Sequence, residues 1–175
     1  MKNLGKVFYK TTYDTPVGEI MLASDGNNLA GLWNKGQKYH GDSIIKDMAT
    51  NDDLPVFKKT KEWLDNYFDG KNPPLTDLPL KPFGETPFRK MVWDILCGIP
   101  YGKTVTYGSI AKTIAAKLNK KTMSAQAVGG AVGHNPVSII IPCHRVVGSD
   151  GGLTGYAGGL EIKVKLLELE RLFIL

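Results

Sequence analysis

Residues 141–146 read Ile-Pro-Cys-His-Arg-Val. A cysteine stands directly before a histidine, at the end of the apolar run Val137, Ile139, Ile140 and Ile141. The run predicts a short buried strand over 137–141, and Pro142, which has no N–H for a ladder, ends it. Cys143 is thereby expected at a strand exit, where side chains reach a cleft. Three readings of it stay open on these residues alone: a buried structural thiol, half of a disulfide, or a nucleophile activated by a neighbouring base. Downstream, Gly148, Gly151, Gly152, Gly155, Gly158 and Gly159 make a loop whose backbone a ligand can approach closely. The same glycines also suit a plain flexible surface loop.

Upstream of the motif the pattern is helical. Thr86 as N-cap and Pro87 at the first position open a helix over 87–97. Thr106 caps a second, Tyr107–Ala116, and a lysine-rich connection leads to a third over 124–132. Two short helices joined in this way suggest a helix-turn-helix. The third helix is almost all small residues (Ala125, Ala127, Gly129, Gly130, Ala131, Gly133). Glycine weakens a helix, so close approach of another surface is expected there, whether a ligand or the protein itself. The last helix, Leu160–Phe173, carries the apolar stripe Leu160, Val164 and Leu167, flanked by Ile162, Leu166, Leu169 and Phe173. Glu170, three and four residues after Leu167 and Leu166, should face inward and needs a partner there. A rim salt bridge to Lys163 or Lys165 is the simplest one.

The N-terminal part reads differently. Val7–Tyr13, Glu19–Ser24 and Leu29–Asn34 are strand-like runs separated by the turn sequences Thr15-Pro16-Val17-Gly18 and Asp25-Gly26-Asn27-Asn28. A helix is expected over Val56–Phe68, with Phe57, Lys61, Leu64 and Phe68 on one stripe and Gly70 as its stop. Residues 71–84, with Pro73, Pro74, Pro79 and Pro82, read as a semi-rigid linker. The expected organisation is therefore residues 1–84, a β-meander with a helix, followed by residues 85–175, a helical domain. No apolar stretch is long enough to span a membrane. The opening Met1-Lys2-Asn3-Leu4-Gly5 lacks the apolar core of a secretory leader. With two cysteines in 175 residues, a reduced, cytoplasmic setting is expected, and Cys97 is expected in the core.

Charge separates the two parts further. The net charge is +5; residues 1–84 hold eleven basic and eleven acidic residues, and residues 85–175 hold eleven and six. Between Asp94 and Asp150 there is no acidic residue, while Lys103, Lys112, Lys117, Lys120, Lys121 and Arg145 fall in that gap. A one-signed region of this kind favours a polyanionic partner.

Taken together, these residues resemble the O6-alkylguanine-DNA alkyltransferase (methylated-DNA–protein-cysteine methyltransferase) family. The signature is Pro142-Cys143-His144-Arg145-Val146, preceded by Asn135-Pro136 and followed by Gly155-Tyr156-Ala157-Gly158-Gly159. The resemblance covers about residues 85–172 closely and residues 1–84 in outline. It implies an α/β (α+β) fold, with an RNase H-like β-meander first and then a winged-helix-like domain carrying the helix-turn-helix. It implies double-stranded DNA containing alkylated guanine as partner, bound through the minor groove, with the damaged base flipped into a pocket. It implies that Cys143 takes the alkyl group from the guanine 6-oxygen and is consumed. His144 would accept the thiol proton through a water, Glu170 would orient His144, Tyr107 would assist the leaving guanine, and Asn135 would stabilise the turn beside the cysteine. Arg145, Val146, Tyr156, Ala157 and Gly158 would line the base site, while Ser124, Ala125, Gln126, Ala127 and Gly129 would meet the DNA. No cofactor is implied, and the chain is expected to act as a monomer, with clustering on DNA open.

The sequence departs from the family pattern in three places. Gln126 stands where well-known relatives carry an arginine that fills the space of the flipped base. Ala157 replaces a frequent serine. The stretch between Tyr107 and Gln126 is several residues longer than in shorter branches. No zinc site is expected, since residues 1–84 hold no cysteine and only His40. Three rivals are weighed against alkyl transfer. A non-catalytic alkyltransferase-like DNA binder would lack the cysteine. A helix-turn-helix regulator would not need it. A Cys-His hydrolase would give the acid-free region no purpose.

Overall fold

Three strands with Gly-rich and Asx turns between them build the N-terminal layer of the computed structural model, which describes residues 7–37 and 45–172. Strand β1 (Tyr9–Thr15) pairs antiparallel with β2 (Gly18–Ser24), and β2 with β3 (Leu29–Asn34). A two-residue strand β4 (Ala49–Thr50) adds in parallel to β1, giving the order β3-β2-β1-β4. Gly18 closes the first hairpin at φ 109°, a conformation a side chain would resist. Asp25 Oδ1 accepts from the Asn27 and Asn28 amides and so fixes the second turn. His40, the opening residues 1–6 and Phe173 lie outside the described residues.

Helix α1 (Pro55–Phe68) packs on β2 and β3. Its buried side is Val56, Phe57, Thr60, Trp63, Leu64 and Tyr67. The expected stripe is therefore rotated: Phe68 and Lys61 sit at its margin, because the bulkier Trp63 and Tyr67 rings take the interior.

Strand β3 is buried along its whole length because other segments complete its edge. On one stretch Leu29 N–H donates to Pro79 O (2.8 Å) and Lys81 N–H to Leu29 O (2.9 Å). On the next, Leu32 N–H donates to Pro136 O (2.8 Å) and Ser138 N–H to Leu32 O (3.0 Å). The expected proline-rich linker is thus docked as extended chain on a sheet edge. Proline is tolerated there because only its carbonyl is used. The first layer and the helical layer share this edge, and one apolar core runs through both, from Ile20 and Leu22 to Val92, Ile110, Val128 and Leu166.

The helical layer follows its caps. Thr86 Oγ accepts from Arg89 N ahead of α2 (Pro87–Cys97), and Thr106 Oγ from Ser109 N ahead of α3 (Tyr107–Lys117). Ser124 Oγ accepts from Ala127 N ahead of α4 (Ala125–Gly133). Helices α3 and α4 pack on each other and on α2, so the two-helix unit expected from sequence is present. A short parallel pair, β5 (Val105–Thr106) with β6 (Val146–Val147), ties the start of α3 to the cysteine segment. Helix α5 (Leu160–Leu172) closes the domain. Among the described residues no helix is long and apolar enough to cross a membrane, and no cluster of three metal-ligating side chains occurs.

Candidate active site

The strand expected over 137–141 does not form. Val137 makes one bridge to Leu32, and the chain then turns. Asn135 is the cause: its Oδ1 accepts from Val137 N (3.0 Å) and its Nδ2 donates to Ile141 O (2.8 Å). Backbone groups that a ladder would use are spent on one buried side chain. Ile139, β-branched and buried, is held at φ 70°, a strained position of the kind found at functional sites. Cys143 therefore does not sit at a strand exit; it opens a single 3-10 turn, Cys143–Arg145. Both cysteines are free thiols, which removes the disulfide reading.

The inward face of α5 is polar. Lys163, Leu166 and Glu170 are each 0% exposed, whereas Leu160, placed on the expected apolar stripe, is 48% exposed. The stripe lies where polar partners await it, not where hydrophobicity alone would put it. Glu170 is no rim residue, and neither lysine pairs with it: Lys165 bonds Glu161. Instead Glu170 Oε1 accepts from His144 Nε2 (2.6 Å) and Arg145 Nη2 (2.9 Å), and Oε2 from Arg145 Nε and Gly102 N–H (both 3.0 Å). Burial alone would push this carboxyl up, but the hydrogen bonds from His144 and Arg145 and the Arg145 charge outweigh it and hold the pKa at about 2. Burial pushes the His144 imidazole below its ordinary value, against the pull of Glu170. His144 is thus neutral near pH 7, with Nε2–H on Glu170. Its Nδ1, buried and without a partner among the described residues, carries the free lone pair.

Arg145 was expected among the base and DNA contacts. It is turned inward, 8% exposed, with Nη1 on Ile99 O (2.7 Å) and the rest of the guanidinium on Glu170. All three of its nitrogens are thus engaged inside the protein. Sequence alone could not separate these roles, because an arginine beside a cysteine in a basic region reads equally well as a DNA contact.

Lys163 is a functional candidate that sequence reading missed. Its ammonium donates to Val146 O (2.6 Å), Thr154 O (3.2 Å) and Gly155 O (3.3 Å), lacing the cysteine segment to the glycine-rich loop. Burial pushes the Cys143 thiol up to about 11; the Asn135 hydrogen bond and the Lys163 charge pull the other way. The one available signal was spacing, since Lys163 and Glu170 are seven residues apart and share a helix face.

Cys143 lies on the wall of a cleft of about 320 Å³, with Tyr107, Gly129, Val132, Gly155, Tyr156 and Ala157 around it. That volume lies in the range of small-ligand sites. Tyr107 Oη donates to Thr154 O (3.1 Å). Gly129 lies 3.9 Å, measured from a would-be Cβ, from the Tyr107 ring, so the small face of α4 borders the cleft. Ser124, Ala125, Gln126 and Ala127 are exposed at the start of that helix. Gly158, expected in the base site, faces the first layer: a Cβ there would meet Asn34 Nδ2 at 2.7 Å. Val146 is buried in β6, with its carbonyl on Lys163.

Comparison with known proteins agrees with this layout. The sequence profile of the 6-O-methylguanine DNA methyltransferase ribonuclease-like domain matches residues 8–82, and that of the DNA binding domain of the same family matches residues 87–172. A methylated-DNA–protein-cysteine methyltransferase of Haemophilus influenzae is 41% identical over 94% of this chain and 87% of its own length. One of Methanosarcina barkeri is 45% identical over 93% and 96%. The crystal structure of Mycobacterium tuberculosis OGT in complex with DNA superposes with a TM-score of 0.78 at 39% identity, covering 94% of each chain.

Proposed function

Because the chain belongs to the 6-O-methylguanine DNA methyltransferase family, we propose that Cys143 is its acceptor thiol, with His144 as base and Glu170 as the group that orients it. The activity itself is that of a methylated-DNA–protein-cysteine methyltransferase, a DNA-repair transfer of an alkyl group from guanine in DNA to the protein. The observation that carries the assignment of Cys143 is its place on the cleft wall beside the His144–Glu170 pair. Cys97, the other thiol, is on α2 and its pKa is pushed up to about 11 by burial and by Asp94.

The base enters the cleft after flipping out of the duplex. His144 takes the thiol proton at Nδ1 through a water, and Glu170 stabilises the resulting imidazolium. The neutral resting thiol follows from its burial, so the base is needed at the moment of attack. The Sγ–carbon bond forms as the carbon–oxygen bond to the guanine 6-oxygen breaks. The electron pair of that bond leaves with the base, which recovers a proton from the imidazolium or solvent. Tyr107 Oη exchanges Thr154 O for the departing base. A thioether carbon is a poor electrophile, so each molecule acts once. Tyr156, Ala157 and the Val146 backbone border the base, and Ser124, Ala125, Gln126, Ala127 and Gly129 meet double-stranded DNA, with Gln126 occupying the space of the flipped base. Lys112, Lys117, Lys120 and Lys121 contact phosphates.

The test is intact mass and peptide mapping after mixing with an oligonucleotide carrying one 6-O-methylguanine. One added methyl on the Cys143 peptide, one guanine restored per protein and no modification of a Cys143→Ala variant are expected. An unmodified Cys143 with DNA bound would favour the non-catalytic damage-binding alternative.

A further inference from the structure

Most of the groups that hold Glu170 come from the helical layer, but one comes from the other side of the shared core. Tyr67, on α1 of the N-terminal layer, is 0% exposed, and its Oη donates to Glu170 Oε1 at 2.8 Å. The same hydroxyl is 3.4 Å from His144 Nε2. It thus lies at the junction where His144 and Glu170 meet, on the oxygen that His144 uses.

The ring that carries this hydroxyl is held on several sides. It stacks on Trp63 at 5.6 Å with planes 8° apart, and meets Phe68, Tyr101 and His144 edge-on at 5.2, 5.9 and 6.4 Å. Trp63 is tied in turn, its Nε1 donating to Pro74 O (3.0 Å). A phenol so confined delivers its proton to one place. The other titratable or charged groups around the pair are Arg145 and Cys143 of the cysteine turn, Tyr101 of the preceding loop and Lys163 of α5. Arg145 braces the carboxylate from its other side, and Lys163 points to carbonyls. Tyr67 is therefore a neutral donor into Oε1, beside the Arg145 guanidinium that already neutralises the charge.

We propose that Tyr67 is a positioning residue for alkyl transfer: its hydroxyl fixes Glu170 Oε1 beneath His144 Nε2, so the N-terminal layer completes the reactive site. A further donor on Oε1, beside His144 Nε2 and Arg145, lowers the basicity of that oxygen. The Nε2 proton then stays on the imidazole, and Nδ1 stays the basic nitrogen. Without the hydroxyl, Glu170 is more basic and less fixed. It then favours the imidazolium in the resting state, which removes the base before the thiol has lost its proton.

This inference rests on Cys143 being the acceptor, and one experiment separates the two. The single-turnover rate of methyl transfer from a 6-O-methylguanine duplex to the Cys143 peptide is followed by mass against pH and DNA concentration. The wild-type chain and Tyr67→Phe, which keeps the ring, are compared with Trp63→Phe, which loosens the stack but keeps the hydroxyl. Tyr67→Phe is expected to lower the rate at saturating DNA by about 10- to 100-fold, as for one hydrogen bond to a charged group. The half-saturating DNA concentration should be unchanged, and the acid limb of the pH–rate profile should move to higher pH. Trp63→Phe should lower the thermal midpoint and leave that limb in place. An unmodified Cys143 in the wild-type chain would overturn both readings. A wild-type Cys143 that is methylated, with Tyr67→Phe equally fast and the limb unmoved, would overturn this one alone. So would a limb that moves as far in Trp63→Phe.

Discussion

Replacing Glu170 by glutamine tests the electrostatics of the site most directly. Every polar group around Glu170 that the structure records is a donor: His144 Nε2, Tyr67 Oη, Gly102 N–H and the Arg145 guanidinium. A carboxamide has nearly the same shape but must turn its own NH₂ toward one of them, and it leaves Arg145 buried without a counter-charge. The ordinary carboxyl value of 4.5 against about 2 here corresponds to roughly 3 kcal/mol at 1.36 kcal/mol per unit. That agrees with the cost of about 3–5 kcal/mol for breaking a buried ion pair from one side. Because the folded-state value is depressed, this stability is present above the unfolded value and is lost as pH falls through the folded one. The wild-type advantage over Glu170→Gln should thus be roughly 3 kcal/mol near pH 7 and about 1 kcal/mol near pH 3. Denaturant unfolding of both chains across that range measures it. In the same variant His144 loses its orienting partner, and the single-turnover rate should fall about 10²- to 10⁴-fold, the usual worth of a positioned base. A stability gap that does not narrow in acid, or a transfer rate equal to that of the wild type, would refute the assignment of Glu170 as an ionised orienting group.

Two further outcomes are expected. Lys163→Met keeps the aliphatic stem but removes the donor to Val146, Thr154 and Gly155; it should lower stability by about 1–3 kcal/mol and move the pH dependence of Cys143 alkylation upward, and an unmoved profile counts against its electrostatic role. Gln126→Arg adds a charge on the exposed start of α4 and should tighten DNA binding, steepening the log K against log salt slope by about one; binding isotherms at several salt concentrations decide it, and an unchanged slope argues against a DNA-facing Gln126.

Legibility from sequence followed the range of the physics involved. The caps Thr86 and Thr106 act within one helical turn, and the helix starts they mark are where the structure has them. The strand at Leu29–Asn34 was readable because its apolar run is bounded by turn residues on both sides. The run at 137–141 carried an equally apolar signal and misled. A side chain two residues upstream captured the amide and carbonyl that a ladder needed, and hydrophobicity does not register that competition. The last helix misled for a related reason: its apolar periodicity turned Glu170 inward but could not anticipate that Lys163 turns inward with it or which groups the two would meet. Their partners are backbone carbonyls and an arginine from elsewhere in the chain.

The sequence by itself determined the two layers, the helix boundaries, the basic second half and the adjacent Cys143-His144 pair, because each rests on residues adjacent in the chain or within one turn. It also carried the family resemblance, which is a property of a contiguous motif. Only the tertiary structure decided that Arg145 faces Glu170, that Lys163 laces the pocket loop, and that Tyr67, 103 residues before Glu170, shares its carboxylate. Those choices depend on which buried charges and donors meet once the core has closed around them. In a dry interior a polar group takes whatever partner the packing brings within reach.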